Sequence, residues 1–160
     1  MSAAPNTSTN YAGRSLDLLI FQGFDPRTAT QVELAISDDE GDGYVCAGIQ
    51  KVAQEFTILF LTDIGSNPWD IYRGTGFMPN LRQGFIQDET SLQTHYEFAV
   101  LDIFDYLEKK VLETTPDDEI LASAELVSFD LRPGFISLQV KVTSLAGDSR
   151  VFIIPVQTVI

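Results

Sequence analysis

The chain has 160 residues, 44% of them hydrophobic and 11% aromatic, which suffices for one domain with a real core. Its formal net charge of −13 argues against a general nucleic-acid binder, which needs a basic face, and against an anionic membrane surface. Cys46 is the single cysteine, so no intramolecular disulfide and no cysteine-built metal site are expected, and a reducing compartment fits.

Residues 1–13 are rich in Ser, Thr, Asn, Ala and Pro and are expected to form a disordered tail before one domain over residues 14–160. The N-terminus has no basic stretch leading into an apolar one, so no signal peptide is expected. Apolar runs such as Ile58–Leu61 are far too short to span a membrane. Leu16–Phe21 and the alternating Gln31–Ser37 flank a Gly23–Arg27 turn cluster and read as a strand pair. Asp38–Gly43 is acidic but lacks the spacing of a calcium loop, and reads as a turn.

From Tyr44 to Leu61, the apolar residues Ile49, Val52, Ala53, Phe56, Leu59 and Phe60 recur at three- and four-residue steps, which predicts a helix. Gly65 and Pro68 forbid its continuation. Asn67–Asp88 reads as one long irregular segment containing Gly74-Thr75-Gly76. Long loops inside compact domains are uncommon and usually functional. Trp69, Tyr72, Phe77, Met78 and Phe85 must therefore pack beneath this loop or face a partner, and they are taken as partner-binding.

Asp88, Glu89 and Thr90 suit a helix N-terminus, and Leu92, Tyr96, Ala99, Val100, Ile103, Leu107 and Val111 form the stripe of a second helix over Thr90–Leu112. Lys109 and Lys110 complement its C-terminal end. Glu125–Asp130 and Phe135–Val142 read as strands joined by the Pro133-Gly134 turn, with a third over Val151–Ile160. Pro155 marks that last run as an edge strand or a bulge. Val151, Ile153, Pro155 and Ile160 are the second set of candidate partner-binding residues.

The predicted fold is α+β: two amphipathic helices on a mostly antiparallel sheet, with a C-terminal strand meander and an added N-terminal strand pair. The order of parts resembles the baseplate-wedge and sheath-initiator family of contractile phage tails. The features that carry the resemblance are Leu61-Thr62 with Gly65-Ser66, the Gly74-x-Gly76 loop, the second helix and the strand meander, across about residues 44–160. Members typically carry Glu-Pro-Arg at the end of the second helix, of which Pro116 alone matches here. The resemblance implies a structural subunit, present in multiple copies in a six-fold virion baseplate assembled in the host cytoplasm. Its implied partners are wedge scaffold proteins, tail hub and spike proteins, and tail sheath subunits, with strand addition seeding the first sheath ring. It implies no cofactor.

The same family has carried a tail-lysozyme label, so peptidoglycan hydrolysis is one alternative. Glycoside hydrolysis needs two carboxylates about 5–5.5 Å apart, or roughly 6.5–9.5 Å for inversion, one with a raised pKa. Glu55, Asp63 and Asp70 are the candidates, and nothing in their spacing distinguishes them from surface acids. His95 is the sole histidine and reads as packing or surface rather than as a base. No nucleophile elbow, zinc-protease, P-loop or dinucleotide fingerprint is present, and Gly74-Thr75-Gly76 is too short to cradle phosphate. No catalytic residue is therefore expected. A soluble acidic binding or inhibitor module is the remaining alternative.

Overall fold

The computed structural model describes residues 17–18 and 45–157, and the architecture is α+β. The predicted tail, the Gln31–Ser37 strand, the acidic turn and Ile160 lie outside the described residues. Strand β1 (Asp17–Leu18) pairs antiparallel with β2 (Val45–Cys46). Helix α1 (Ile49–Leu61) follows directly, then a loop, a short helix α2 (Phe77–Arg82), and the long α3 (Glu89–Glu108). A single 3-10 turn, Asp117–Glu119, leads into an antiparallel meander of β3 (Leu121–Arg132), β4 (Phe135–Ser144) and β5 (Ser149–Gln157), in spatial order β3-β4-β5.

Helix α1 starts five residues later than its periodicity predicts. Val45 and Cys46 are committed to a strand, and Gly48 takes φ 61°, which breaks helical continuation. Glu119 then holds the helix start. It accepts from the Gly48 N–H at 3.4 Å and pairs with Lys51 at 3.0 Å. The predicted apolar face of α1 is buried, but so are Gln54 and Thr57, because the helix is enclosed on more than one side. Thr57 satisfies its hydroxyl by donating to the Ala53 carbonyl at 2.9 Å.

Helix α3 begins where its cap dictates. The Ser91 N–H donates to Asp88 Oδ1 at 2.7 Å, and the Asp88 N–H donates to Ser91 Oγ at 3.0 Å, a reciprocal capping box. The helix ends at Glu108, four residues before the predicted end, so Val111 is exposed rather than part of the buried stripe.

On β4, Ile136, Leu138, Val140 and Val142 alternate toward the helices and are all buried. Their register partners on β5, including Val156, Ile154 and Phe152, continue the same layer. Strand β3 is longer than the predicted Glu125–Asp130, and it contains two irregularities, at Leu121/Ser123 and Leu126/Ser128. Each bulge flips the side-chain parity, so Ala124 and Leu126 pack on the core before the second bulge and Phe129 after it. Simple alternation therefore fails along β3.

The core centres on Phe60 of α1. Its ring lies 6.0 Å from Phe56, 4.5 Å from Phe77 on α2 and 5.8 Å from Tyr96 on α3. One side chain thus joins all three helices, through ring contacts stabilising beyond simple area burial.

Candidate functional site

Thr62 ends α1, its hydroxyl donating to the Ile58 carbonyl at 2.6 Å. The chain then leaves the core and returns at Thr75. The Thr75 N–H donates to the Thr62 carbonyl at 2.9 Å, and the Ile64 N–H to the Thr75 carbonyl at 3.0 Å. The Thr62–Ser66 turn and the Gly74–Gly76 segment, separate motifs in sequence, are the two sides of one neck. Thr75 is fully buried there. Its hydroxyl donates to the Phe60 carbonyl at 3.1 Å and accepts from the Phe77 N–H at 3.3 Å. Gly74 has φ 103°, and a Cβ on it would lie 2.4 Å from the Thr62 carbonyl oxygen, so only glycine lets the two sides approach.

Beyond the neck the loop is closed by its own backbone. The Gly65 N–H donates to the Ile71 carbonyl at 3.0 Å, and the Asp70 N–H to the Asn67 carbonyl at 3.1 Å. Asn67 Oδ1 also accepts from the Trp69 N–H at 3.1 Å, an Asx turn at the tip. Three side-chain contacts fix the loop laterally. Asp63 pairs with Arg82 of α2, Asp70 accepts from the Tyr106 hydroxyl, and Lys109 sits 5.8 Å from the centre of the Tyr72 ring.

This scaffold presents an apolar surface. Trp69 is 92% exposed and Tyr72 69%, with Ile71 and Ile64 exposed beside them in sequence. Phe85 is also exposed, at the end of the turn after α2. Ile64 and Ile71 were not singled out in the sequence, although Ile71 lies between the two aromatic residues that were. Two of the candidate partner-binding residues are corrected. Phe77 is 1% exposed and is core, because α2 folds back and stacks it on Phe60. Met78 is half-buried against the same cluster. The predicted irregular segment thus contains a helix whose purpose is packing.

The second candidate set divides in the same way. Among the described residues β5 is a terminal strand, the first of the two readings Pro155 allowed (edge strand or bulge), and it pairs with β4 along its length. Val151 is exposed, but Ile153 and Pro155 are buried, so β5 offers an edge and not an apolar face.

The candidate acid/base residues are dispersed into structural contacts. Asp63 and Asp70 hold the loop as described, Glu55 is half-buried on α1, and His95 Nδ1 lies 3.2 Å from the Asn80 side-chain amide. Burial raises the pKa of Asp102, opposed by a hydrogen bond from the Gly76 N–H and assisted by the nearby Asp105. Burial also pushes the Tyr96 phenol well up, with Glu125 adding to it. Two buried side-chain hydroxyls, of Tyr96 and Ser144, have no hydrogen-bond partner among the described residues. Among those residues no group of three or more His, Cys, Asp or Glu side chains could hold a metal ion. No described helix is long and apolar enough to cross a membrane. Comparison of the chain with family models, with curated proteins and with solved structures returned no match.

Proposed function

We propose that this protein is a structural subunit of a contractile-tail baseplate wedge, linking wedge scaffold and hub to the first sheath ring. The observation that carries the docking part of this reading is the Asp63–Thr75 loop. It holds Trp69, Ile71 and Tyr72 in solvent on a neck of backbone hydrogen bonds. Pre-organised aromatic side chains are the residue type that most often anchors a protein interface, since little conformational entropy remains to be lost on binding. The sheath part rests on β5 as a terminal strand of the sheet, without a second partner among the described residues, and with Val151 exposed upon it.

The test is made in the assembled particle. Wild-type protein incorporates into the wedge, and Trp69→Ala, which touches no core residue, folds but is left out. Incorporation of Trp69→Ala at wild-type level would remove the loop from the interface. For the sheath, Val151→Asp charges the exposed position on the β5 edge and leaves every buried β5 residue in place. Baseplates without sheath are expected from it, and normally sheathed tails would move initiation elsewhere on the molecule.

A further inference from the structure

The Trp69 loop and the end of α3 form one surface. The Tyr106 hydroxyl donates to Asp70 at 2.6 Å, and Lys109 Nζ lies 5.8 Å from the centre of the Tyr72 ring. The turn that follows α3 is itself held. The Val111 N–H donates to the Glu108 carbonyl at 3.2 Å, and the Leu112 N–H to the Thr115 hydroxyl at 2.9 Å. Val111 and Leu112 are exposed on this turn, as Trp69, Ile71 and Tyr72 are on the loop. Apolar surface and the Lys109–Lys110 pair therefore occur together on two pre-organised elements.

The loop carboxylates are already engaged. Asp63 pairs with Arg82, and Asp70 accepts from Tyr106. The cations are not. Among the described residues Arg73, Lys109 and Lys110 form no ion pair, although the chain has 23 acids against 10 bases. Asp105 stands four residues before Lys109, the spacing at which opposite charges meet on a helix. That pair is not made, and the ammonium lies by the Tyr72 ring instead. Glu108 and Glu113 are exposed beside the lysines in sequence and pair with neither. Lys110 is held in the same manner as Lys109, 4.3 Å from the centre of the Tyr106 ring. A ring face attracts an ammonium without neutralising it, so both lysines keep N–H donors for an oxygen from outside.

We propose that this composite surface docks a partner-protein segment that sets a carboxylate among apolar side chains. It rests on the docking-loop half of the wedge reading and adds the chemistry of the partner. Trp69, Ile71 and Leu112 meet the segment's apolar side chains. Its carboxylate accepts from Lys109 beside Tyr72, with Lys110 as the second donor. An aromatic centre with a charged rim is the usual anatomy of a protein interface. Overall charge separates this occupant from other anions. A nucleic acid or an anionic bilayer is an extended negative array and would face the whole of a chain with net charge −13. A second copy would bring the same −13 with it. A short segment meets only the end where the cations lie unpaired.

The test uses the full chain, immobilised, and a displayed library of random dodecapeptides. Peptides enriched on the wild-type protein should carry Asp or Glu beside aliphatic or aromatic residues. One enriched peptide is then synthesised and titrated. Trp69→Ala should abolish its binding. Lys109→Gln should weaken it by about fivefold and flatten its salt dependence, and Lys109→Arg should restore both. Replacing the peptide's carboxylate by the amide should cause the same loss on wild type and little further loss on Lys109→Gln. Loss with Trp69→Ala but indifference to Lys109→Gln and to the amide would overturn the carboxylate and leave the docking loop standing. Binding untouched by Trp69→Ala would overturn both. Enrichment without acids, no enrichment, or self-association through this end would each overturn the proposal. So would phosphatidylglycerol vesicles that bind wild type and not Lys109→Gln, which would assign the site to a lipid phosphate.

Discussion

The Tyr106 hydroxyl donates to Asp70 Oδ2 at 2.6 Å, joining the end of α3 to the Trp69 loop across 36 residues of sequence. Tyr106 is itself held, buried on the helix with Lys110 Nζ 4.3 Å from its ring centre. The loop is therefore braced against a helix rather than carried on its neck alone.

Tyr106→Phe keeps the ring and removes the bond. A hydrogen bond to a charged group contributes about 1.5–3 kcal/mol, and Asp70 is half-buried, so a loss at the lower end is expected. Hydrogen exchange should quicken at residues 64–75 more than elsewhere. Unchanged exchange there would show that the neck suffices.

Trp69 and Phe77 stand eight positions apart and should respond oppositely. Phe77→Ala opens a cavity beside Phe60 and should cost about 3–5 kcal/mol. Trp69→Ala should lie within about 0.5 kcal/mol of wild type, as an exposed position does. Denaturant titration of the two variants separates them, and a Trp69→Ala loss as large as that of Phe77→Ala would place Trp69 in a packed environment.

Gly74 and Gly65 both take positive φ, at 103° and 78°, but only at Gly74 would a Cβ meet another part of the chain. Gly65→Ala should cost about 1–2 kcal/mol from backbone strain alone. Gly74→Ala should cost more, since the neck must open, and should expose the Thr75 amide to exchange. Equal destabilisation by the two would show that steric approach at the neck is unimportant.

Two α3 carboxylates should titrate in opposite senses. The bonds Asp88 accepts from the Ser91 backbone and side chain hold its pKa below the ordinary 3.8. Its stabilising contribution is present above pH 3.8 and lost as pH falls through the depressed value. Burial raises Asp102 above 3.8, so its penalty sets in as pH rises through that range and persists at neutrality. Asp102→Asn keeps an acceptor for the Gly76 N–H and should raise the thermal midpoint at pH 7 but not at pH 3. Asp88→Asn preserves a capping side chain and should flatten the acid limb of the stability profile. A lower midpoint for Asp102→Asn at pH 7 would reverse the sign assigned to Asp102.

The sequence by itself determined the α+β class, both long helices and the three-strand meander, and it narrowed Pro155 to an edge strand or a bulge. Those follow from local periods and from proline's missing donor, which act within a few residues. It also marked Trp69 and Tyr72 as anomalous in a glycine-rich loop. Only the tertiary structure decided that Phe77 belongs to the core, because burial there depends on Phe60 from a helix that ends sixteen residues earlier. The parity shifts in β3 were hidden because a bulge is defined by its partner strand. The loop's rigidity was hidden for the same reason. Its supports, Thr62 with Thr75 and Asp70 with Tyr106, are pairs distant in sequence, and neither residue of a pair carries a local pattern that names the other.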